Sequence, residues 1–432
     1  MSGLAAARAL ADHFEEVIVI ERDNLPTEAT PRTGAPQSGH IHVLLAGGLR
    51  ALGELFPAFE MDLARAGAVA LRAGLDLRYE RPGYDPFPQR DLGWLTYSMS
   101  RPLIELTLRQ RVERHGNITL RQRCRALEIV ASHDGVAVTA VRYETTNDRR
   151  ETLPADLVVD ASARGSGTLA LLKPIGLPEE TRIGVDLGYA SAVFAVPDDV
   201  PSDWQALVTY PSAPESSRGC FMMPVEGNRW MVALSGRRGD WPPGDEDGFL
   251  AYARSLRTPT FYNAIKQAKR LGEITRFGFS ESVWRHFEQL DAFPRGLLPI
   301  GDLICRFNPI YGQGMSVAAQ EASLLHRVLR TRAKEGDPLA GLAEDFLAEA
   351  RILIDAPWAM AAIPDFVYPE TRGRRPADFD SALSFASALT RIAAHDPAVH
   401  KLTFEVQHLL KPRSAYRDPA FMRRVGAEMA KV

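Results

Sequence analysis

The chain has 432 residues, of which 45% are hydrophobic and 24% charged, and its net charge is −3. This length allows about two or three hydrophobic cores, while the near-neutral charge gives no electrostatic basis for binding nucleic acid or an anionic membrane. Three widely spaced cysteines indicate free thiols in a reducing compartment, and no apolar run approaches the roughly 20 residues that span a bilayer, so the sequence predicts a cytoplasmic protein.

The N-terminal segment has the pattern of the second half of a dinucleotide-binding βαβ unit. Gly3 precedes an alanine-rich helix predicted over 4–15, and the helix leads to a buried strand over 17–20 that ends at Glu21. In such a unit the last glycine lets the helix pack closely on the strand, and the acidic residue accepts a hydrogen bond from a ribose hydroxyl. The first strand and the first two glycines of the unit are missing. We therefore expect the true reading frame to start upstream of Met1 and the parallel sheet of this chain to have a gap.

Helices and short strands alternate over the next 140 residues. A loop rich in Pro, Gly and Thr is predicted over 22–40, followed by a helix over 41–55. A second helix is predicted over 101–115, where Pro102 occupies a first-turn position. Strands are predicted within 117–132, 136–144 and 155–162.

The pattern changes between 172 and 290, where short strands lie among Pro- and Gly-rich turns with one helix near 246–269. This pattern predicts a separate, mostly antiparallel sheet. A buried strand at 296–303 and a helix over 315–336 return to the first pattern, and the remaining residues have helical periodicity. The predicted fold is α/β: a Rossmann-like domain from 1–74, 98–171 and 291–336, an inserted substrate domain from 75–97 and 172–290, and a C-terminal helical region from 337–432.

The most informative segment is GLLPIGDLICRFNPIYGQGMSVAAQEA, residues 296–322. Its strand delivers Gly301 and Asp302 to a carboxyl end, where ligands of α/β sheets bind. Gly312 and Gly314 precede the next helix, and glycines there free backbone N–H groups to face an anion or an electron-rich carbonyl. An isolated Gly-Asp pair would instead indicate a tight turn capped by Asp302, but the length of this pattern favours a cofactor site.

On these motifs the chain resembles flavin-dependent monooxygenases of the aromatic-hydroxylase type, and most closely the actinobacterial polyether epoxidase-like FAD oxidoreductases. The similar segments occur in the family's order over residues 3–325. They are GLAAARALADHFEEVIVIERD, PRTGAPQSGHIHVLLAGGLRAL, SRPLIELTLRQRV, ADLVVDASARGS, PVEGNRWMVALSG and LLPIGDLICRFNPIYGQGMSVAAQEA. The resemblance implies FAD as cofactor, with NAD(P)H or a partner flavin reductase as the electron donor.

The resemblance also implies roles for individual residues. Glu21 would hold the adenosine ribose, and the backbone from Cys124 through Arg125 to Ala126 would receive the adenine. Arg32, Gln37 and Arg101 would lie along the flavin or its ribityl chain, Asp160 would approach both FAD and the reduced nicotinamide, and Asp302 would bind the ribityl or pyrophosphate region. The N–H groups of Gly312, Gln313, Gly314 and Met315 would stabilise negative charge on the reduced flavin. The further cofactor-binding candidates are Gly3, Arg22, Gly301 and Pro309.

Two other features bear on the site. Ala163, in the segment DASARGS, stands where relatives usually have glycine. Phe221, Met223 and Trp230 lie on two predicted strands in the region where the family keeps its substrate, and they are candidates for a substrate pocket. Because side chains alternate between faces along a strand, only about half of such a cluster can point inward.

His40 and His42 have a spacing that could place both side chains on one metal ion. No third ligand lies near them in the sequence, so a hydrogen-bonded structural pair is favoured and no metal is predicted.

The resemblance implies a monooxygenase of secondary metabolism that transfers one oxygen atom of O₂ to a small hydrophobic organic substrate, through a flavin C4a-hydroperoxide. The reaction would be alkene epoxidation or hydroxylation. Epoxidation needs no side-chain base, so no catalytic residue is assigned. Three alternatives stay open: a flavin-dependent alkene reductase, a non-redox cyclase that keeps FAD as a structural element, and a remnant that binds no flavin. A flavin-dependent halogenase is disfavoured, because the Trp-x-Trp-x-Ile-Pro segment of those enzymes is missing.

Overall fold

The structure is a computed structural model that describes residues 1–198 and 203–431. Two short parallel ladders form the centre of its parallel-strand region. β1 (Val17–Glu21) pairs with β5 (Ile118–Gln122), and β9 (Val158–Asp160) pairs with β15 (Leu297–Pro299). Within the described ranges neither β1 nor β9 has a partner on its second edge, and both strands line the same cavity. The gap predicted in the parallel sheet is therefore present.

Helices cover these strands and form the C-terminal part of the chain. In the described residues they are α1 (Ser2–Ala11), α2 (Ala46–Leu55), α3 (Phe59–Arg65), α4 (Arg101–Val112), α5 (Ser166–Leu172), α6 (Glu246–Arg254), α7 (Thr260–Ile265), α8 (Gly314–Arg332), α9 (Leu342–Asp365), α10 (Phe379–His395), α11 (Pro397–Gln407) and α12 (Pro419–Met429). Local sequence explains several starts: the Ser100 side chain accepts a hydrogen bond at the start of α4, and Asp396 caps α11. No helix in the described ranges has the length and apolar character needed to cross a membrane.

A separate, larger sheet lies beside the parallel strands. Its strands, in spatial order, are β16 (Cys305–Arg306), β14 (Thr275–Arg285), β10 (Glu180–Ala195), β13 (Arg229–Arg237), β12 (Gly219–Val225), β11 (Ala206–Thr209) and β3 (Leu77–Glu80), while β17 (Arg372–Gly373) also pairs with β10. Every pairing except β11 with β3 is antiparallel. The fold is thus the predicted α/β architecture with a mostly antiparallel second sheet.

Smaller ladders complete the sheets. β2 (Val69–Arg72) pairs with β4 (Leu95–Ser98), and β6 (Arg125–Ala131), β7 (Val138–Glu144) and β8 (Arg150–Pro154) form a three-stranded meander.

Several predicted boundaries differ from the structure. The run 117–132 is two strands, because Arg123 takes a left-handed φ of 57° and ends β5. The segment 246–269 contains two helices instead of one, and the helix predicted from residue 41 begins only at Ala46. The short strands β16 and β17 pair with β14 and β10 of the large sheet, although both lie outside 75–97 and 172–290, the residues predicted for that domain.

Candidate cofactor site and adjoining chamber

A continuous cavity of about 2370 Å³ lies between the parallel strands, the large sheet and the C-terminal helices. It brings together most of the site residues predicted from the sequence. Those on its wall are Gly3, Glu21, Arg22, Arg32, Gln37, Arg101, Arg125, Ala126, Asp160, Asp302, Pro309, Gly312, Gln313, Gly314, Met315, Phe221 and Met223. These residues come from segments far apart in the chain, which the carboxyl ends of the parallel strands and the start of α8 gather at one place.

An ion-pair network joins the end of β1 to the start of α4. Arg32 contacts Asp23 at 2.6 Å, Glu105 at 2.7 Å and Glu21 at 3.3 Å, while Arg101 contacts Glu105 at 2.9 Å. Burial lowers the pKa of the Arg101 guanidinium, and the neighbouring Glu105 opposes that shift. The network holds Arg101 at the cavity wall as a cationic donor, and it places Arg32 beside the predicted ribose ligand Glu21.

The turn after β15 presents Asp302 to the cavity. Gly301 has φ +71°, and a Cβ atom there would overlap the Ser2 hydroxyl at the start of α1, so the turn needs glycine. The Gly301 N–H donates to Glu321 Oε2 at 2.6 Å. Gly301 is not among the residues that line the cavity, and its role in cofactor binding stays a prediction. Enclosure by protein raises the pKa of the Asp302 carboxyl, against the opposing effect of Arg306 and Arg101.

The buried Glu321 carboxyl gives a pH-dependent prediction. Burial raises its pKa from 4.5 to about 8. Because the folded-state pKa lies above the unfolded value, its contribution to stability is complete below pH 4.5 and is lost as the pH rises towards 8. The urea midpoint of the wild type should therefore fall between pH 5 and pH 8.5 more steeply than that of Glu321→Gln. Replacing the exposed Glu344 of α9 by glutamine should leave the slope unchanged; equal slopes in all three proteins would contradict the prediction.

The loop before α8 forms a backbone cradle. Asn308 caps a 3₁₀ turn by accepting a hydrogen bond from the Ile310 N–H, and Gly312 then takes φ +66° with its would-be Cβ 3.2 Å from Val43 Cβ. The first N–H groups of a helix have no intrahelical acceptor, so the start of α8 at Gly314 presents free donors to the cavity. An electron-rich ring or an anion fits this position.

The Asp160 carboxylate accepts hydrogen bonds from the turn before α5 and from the first residues of α5. Its Oδ1 accepts a hydrogen bond from the Ser162 N–H at 2.9 Å, and its Oδ2 accepts one from the Thr168 hydroxyl at 2.6 Å. Each carboxylate oxygen therefore has a protein donor without a ligand. The approach of Asp160 to a nicotinamide stays a prediction.

Ala163, in the same turn, has φ 59°, a left-handed conformation that disfavours alanine. Ala163→Gly should therefore raise the stability of the folded protein by about 1 kcal/mol. Thermal unfolding of both proteins checks this expectation, and an unchanged or lower midpoint in the glycine variant would contradict it.

The segment from Cys124 to Ala126, which is predicted to receive the adenine, is held in place through its backbone. The Cys124 N–H donates to the Glu21 carbonyl at 2.9 Å, which ties the end of β5 to the end of β1. The Arg125 side chain is exposed and pairs with Glu144, and the Arg22 side chain is exposed as well. Any contact from these two arginines to a ligand would therefore lie at the cavity rim.

The large sheet divides the predicted substrate residues. Phe221 and Met223 are on the cavity face of β12. Trp230 is on the opposite face, in the core beneath α6 and α7. Its ring stacks on that of Trp204, with the two ring centroids 6.3 Å apart. The alternation of strand side chains thus removes Trp230 from the pocket, and its prediction as a substrate contact is wrong.

The two histidines form a structural pair with the sheet. His40 Nδ1 lies 2.8 Å from the Ser191 hydroxyl, and His42 Nδ1 lies 3.0 Å from the His40 carbonyl. Burial lowers both pKa values to about 4, so both rings are neutral near pH 7. Within the described residues no group of three or more His, Cys, Asp or Glu side chains could hold a metal ion.

Comparison with known proteins identifies the ligand of this architecture. The family described as "FAD binding domain" matches residues 1–340. The chain belongs to this family. This FAD-binding protein is 32% identical over 409 residues to Protein Rv3254 of Mycobacterium tuberculosis, an alignment that covers 89% of the chain and 84% of its relative.

Solved structures of flavoenzymes share the fold of this FAD-binding protein. The flavin-dependent brominase Bmp2 superposes with a TM-score of 0.65 at 14% identity, over 100% of this chain and 96% of the other. PqsL, a probable FAD-dependent monooxygenase from Pseudomonas aeruginosa, superposes with a TM-score of 0.61 at 16% identity, over 85% of this chain and 94% of the other. The resemblance to flavin enzymes of the aromatic-hydroxylase type is thereby confirmed at the level of family and fold.

Proposed function

We propose that this FAD-binding protein is a monooxygenase that transfers one oxygen atom of O₂ to a hydrophobic organic substrate, by alkene epoxidation or hydroxylation. The observation that carries the proposal is the continuity of the cavity, which joins the cofactor-side residues to an apolar chamber under the large sheet. Phe221, Met223 and Phe277 are among the side chains of that chamber. NAD(P)H or a partner flavin reductase would supply the electrons.

The residues present fit FAD. A Cβ atom at Gly312 would press on Val43, and φ is positive there, so the cradle suits backbone contact with a flat ring. Glu21 ends β1 where a ribose hydroxyl would donate. Asp302 lies on the cavity wall, with its Oδ1 atom 3.9 Å from the position of a Cβ at Gly314, and ribityl hydroxyls would donate to it there. Arg101 and the free N–H groups that begin α1 would oppose the charge of the pyrophosphate.

When bound and reduced, FAD supplies the activation of O₂. The chain's own residues provide the surroundings for that chemistry. The N–H groups at the start of α8 would donate to the flavin and favour negative charge on it. The aromatic and aliphatic wall at Phe221, Met223 and Phe277 would exclude water and bind an apolar substrate beside the ring.

The test is oxygen transfer from labelled O₂. FAD-loaded protein is reduced with NADPH and a flavin reductase, then mixed with 1-decene under ¹⁸O₂, and products are analysed by mass spectrometry. The proposal predicts a product with one ¹⁸O atom, and Asp302→Ala protein, which lacks the proposed ribityl contact, should form less of it.

Other outcomes identify other functions. Reduction of the alkene without O₂ would show a reductase, conversion with oxidised flavin and no reductant would show a non-redox enzyme, and brominated product in the presence of bromide would show a halogenase.

A further inference from the structure

The two parts of the cavity differ in charge. The acidic residues on its wall lie at 15–21, 105, 128–160 and 302, on the side of the parallel strands and of the proposed flavin cradle at Gly312–Met315. Residues 75–97, 172–290 and 337–431, which include the large sheet and the C-terminal helices, place no acidic side chain on the wall within the described ranges. The charged side chains that they contribute are all arginines: Arg81, Arg237, Arg285, Arg391 and Arg413. The wall of the chamber is therefore positive.

Three of these arginines already have a counter-charge. The pairs are Arg237–Asp365 at 2.5 Å, Arg285–Glu180 at 2.9 Å and Arg391–Glu428 at 2.9 Å. Arg81 and Arg413 form no ion pair among the described residues. The acidic residues nearest to Arg81 in the sequence, Glu80 and Asp85, pair with other arginines. The protein thus leaves two positive charges on the chamber wall uncompensated.

Aromatic rings hold Arg81 in place. Its guanidinium carbon lies 4.9 Å from the ring centre of Phe87 and 4.9 Å from that of Tyr210. Its Nε atom is buried without a partner, whereas its two Nη atoms, which also have no partner among the described residues, are not enclosed in that way. Because ring contacts leave the Nη edge of a guanidinium free, a carboxylate can bind that edge with two parallel hydrogen bonds. Arg413, which begins a short 3₁₀ turn, makes no ring contact of this kind in the described part of the chain.

Strand register places Arg81 well away from the flavin cradle. The segment 40–43 contacts the cradle at Gly312 and the large sheet at Tyr189 of β10. A row of paired residues runs from Tyr189 across β13 and β12 to Tyr210 and Arg81, which directly follow β11 and β3. Because adjacent strands are about 4.8 Å apart, the four spacings from β10 to β3 separate Tyr189 from Arg81 by about 19 Å.

The wall between these two points can hold a chain. Phe221, Val208 and Tyr79 line the cavity from successive strands beside this row, together with the Ser235 hydroxyl. A molecule that reaches both ends must be long and mostly apolar, with a negative charge where it meets Arg81. Since the rings hold a single guanidinium there, the site matches the single charge and planar shape of a carboxylate better than a phosphate monoester, which carries close to two charges at pH 7.

We propose that Arg81 binds the carboxylate of a long-chain apolar acid, and that the rest of the chain lies along the chamber towards the flavin. The inference rests on the proposed function only for the identity of that acid as the substrate. It adds a charged group to the hydrophobic substrate and assigns the recognition of that group to one residue.

The experiment measures binding to the FAD-loaded oxidised protein, so a failure of oxygen transfer does not affect it. The probes are cis-parinarate, a fluorescent long-chain polyene acid, and its methyl ester, which keeps the chain but removes the charge. Dodecanoate and dodecyl phosphate then compete with bound cis-parinarate. The test variants are Arg81→Gln, which removes the charge, and Arg81→Lys, which keeps the charge but loses the two-point contact.

A matched control lies outside the cavity. The Arg375 guanidinium carbon is 3.7 Å from the centre of the Phe379 ring, but this side chain does not line the cavity. Arg375→Gln removes a ring-contacting arginine in the same way and should bind both probes like the wild type. Bound FAD, measured by absorbance, verifies the fold of each variant, and Arg81→Lys carries the test if the glutamine variant does not fold.

We expect the wild type to bind cis-parinarate more tightly than the methyl ester. Arg81→Gln should bind the acid about 10-fold or more weakly, from the loss of charge-assisted hydrogen bonds, and the ester within about 2-fold of the wild type. Arg81→Lys should show a smaller loss for the acid alone. The inference would be overturned by a wild type that does not bind the acid or does not prefer it to the ester, by equal losses for acid and ester in either Arg81 variant, by unchanged affinity for the acid in Arg81→Gln, or by stronger competition from dodecyl phosphate than from dodecanoate.

Discussion

Replacing Asp365 by alanine is expected to destabilise the folded protein by about 3–5 kcal/mol. The change leaves Arg237 buried without its counter-charge and removes the acceptor used by Tyr311 and Asn308. Because these groups connect α9 to the large sheet and to the loop before α8, the loss should affect the whole fold. Urea unfolding followed by tryptophan fluorescence measures it as a lower midpoint.

The control is another arginine–aspartate pair on the surface. Asp337 contacts Arg295 at 2.8 Å, with both side chains more than 40% exposed. Asp337→Ala should change stability by less than about 1 kcal/mol, since exposed pairs contribute little. Similar midpoints for the two alanine variants would show that burial of the Asp365 pair is not important for stability.

Gly48→Ala is expected to cost about 2–3 kcal/mol and to weaken FAD binding. A Cβ atom at position 48 would lie 2.5 Å from Ser316 Cα, so the methyl group meets backbone that cannot move without shifting α8. Ser316 is in the first turn of α8, next to Met315 of the proposed flavin cradle, and its hydroxyl accepts a hydrogen bond from the Leu45 N–H at 2.8 Å. Thermal unfolding and an FAD titration of the variant measure the two effects.

Gly53 provides the matched substitution on the same helix. Apart from its chain neighbours and the backbone of its own helix, no atom of the described residues lies within 4 Å of the position of a Cβ at Gly53. Gly53→Ala should therefore stabilise α2 by up to about 1 kcal/mol, through helix propensity alone. If both alanine variants moved the melting temperature in the same direction, close packing of α2 on α8 would not be the cause.

Features encoded by local pattern were predictable from the sequence. The apolar run that ends at Glu21 and the glycines at 312 and 314 before α8 mark backbone geometry directly. Because the carboxyl ends of parallel strands meet at one edge of a sheet, these local signals also indicated that Glu21 and Asp302 lie on one cavity.

Features that depend on contacts between distant segments were not predictable. Trp230 and Met223 are both apolar strand residues, and only the observed register shows that they occupy opposite faces. The pairing of Arg237 with Asp365 crosses 128 residues and has no local signature. Gly48 appears in the sequence as an ordinary helix residue, because the atom that requires glycine there belongs to α8.

The central claim is that FAD occupies the cavity between the end of β1, Asp302 and the start of α8, and its most direct test is a fluorescence titration of the protein with FAD. We expect one FAD per chain, with affinity about 10-fold or more weaker in Asp302→Ala, from the loss of the hydrogen bonds that its carboxyl group would form, and unchanged in Asp337→Ala. No binding by the wild type, or equal affinities in the two variants, would contradict it.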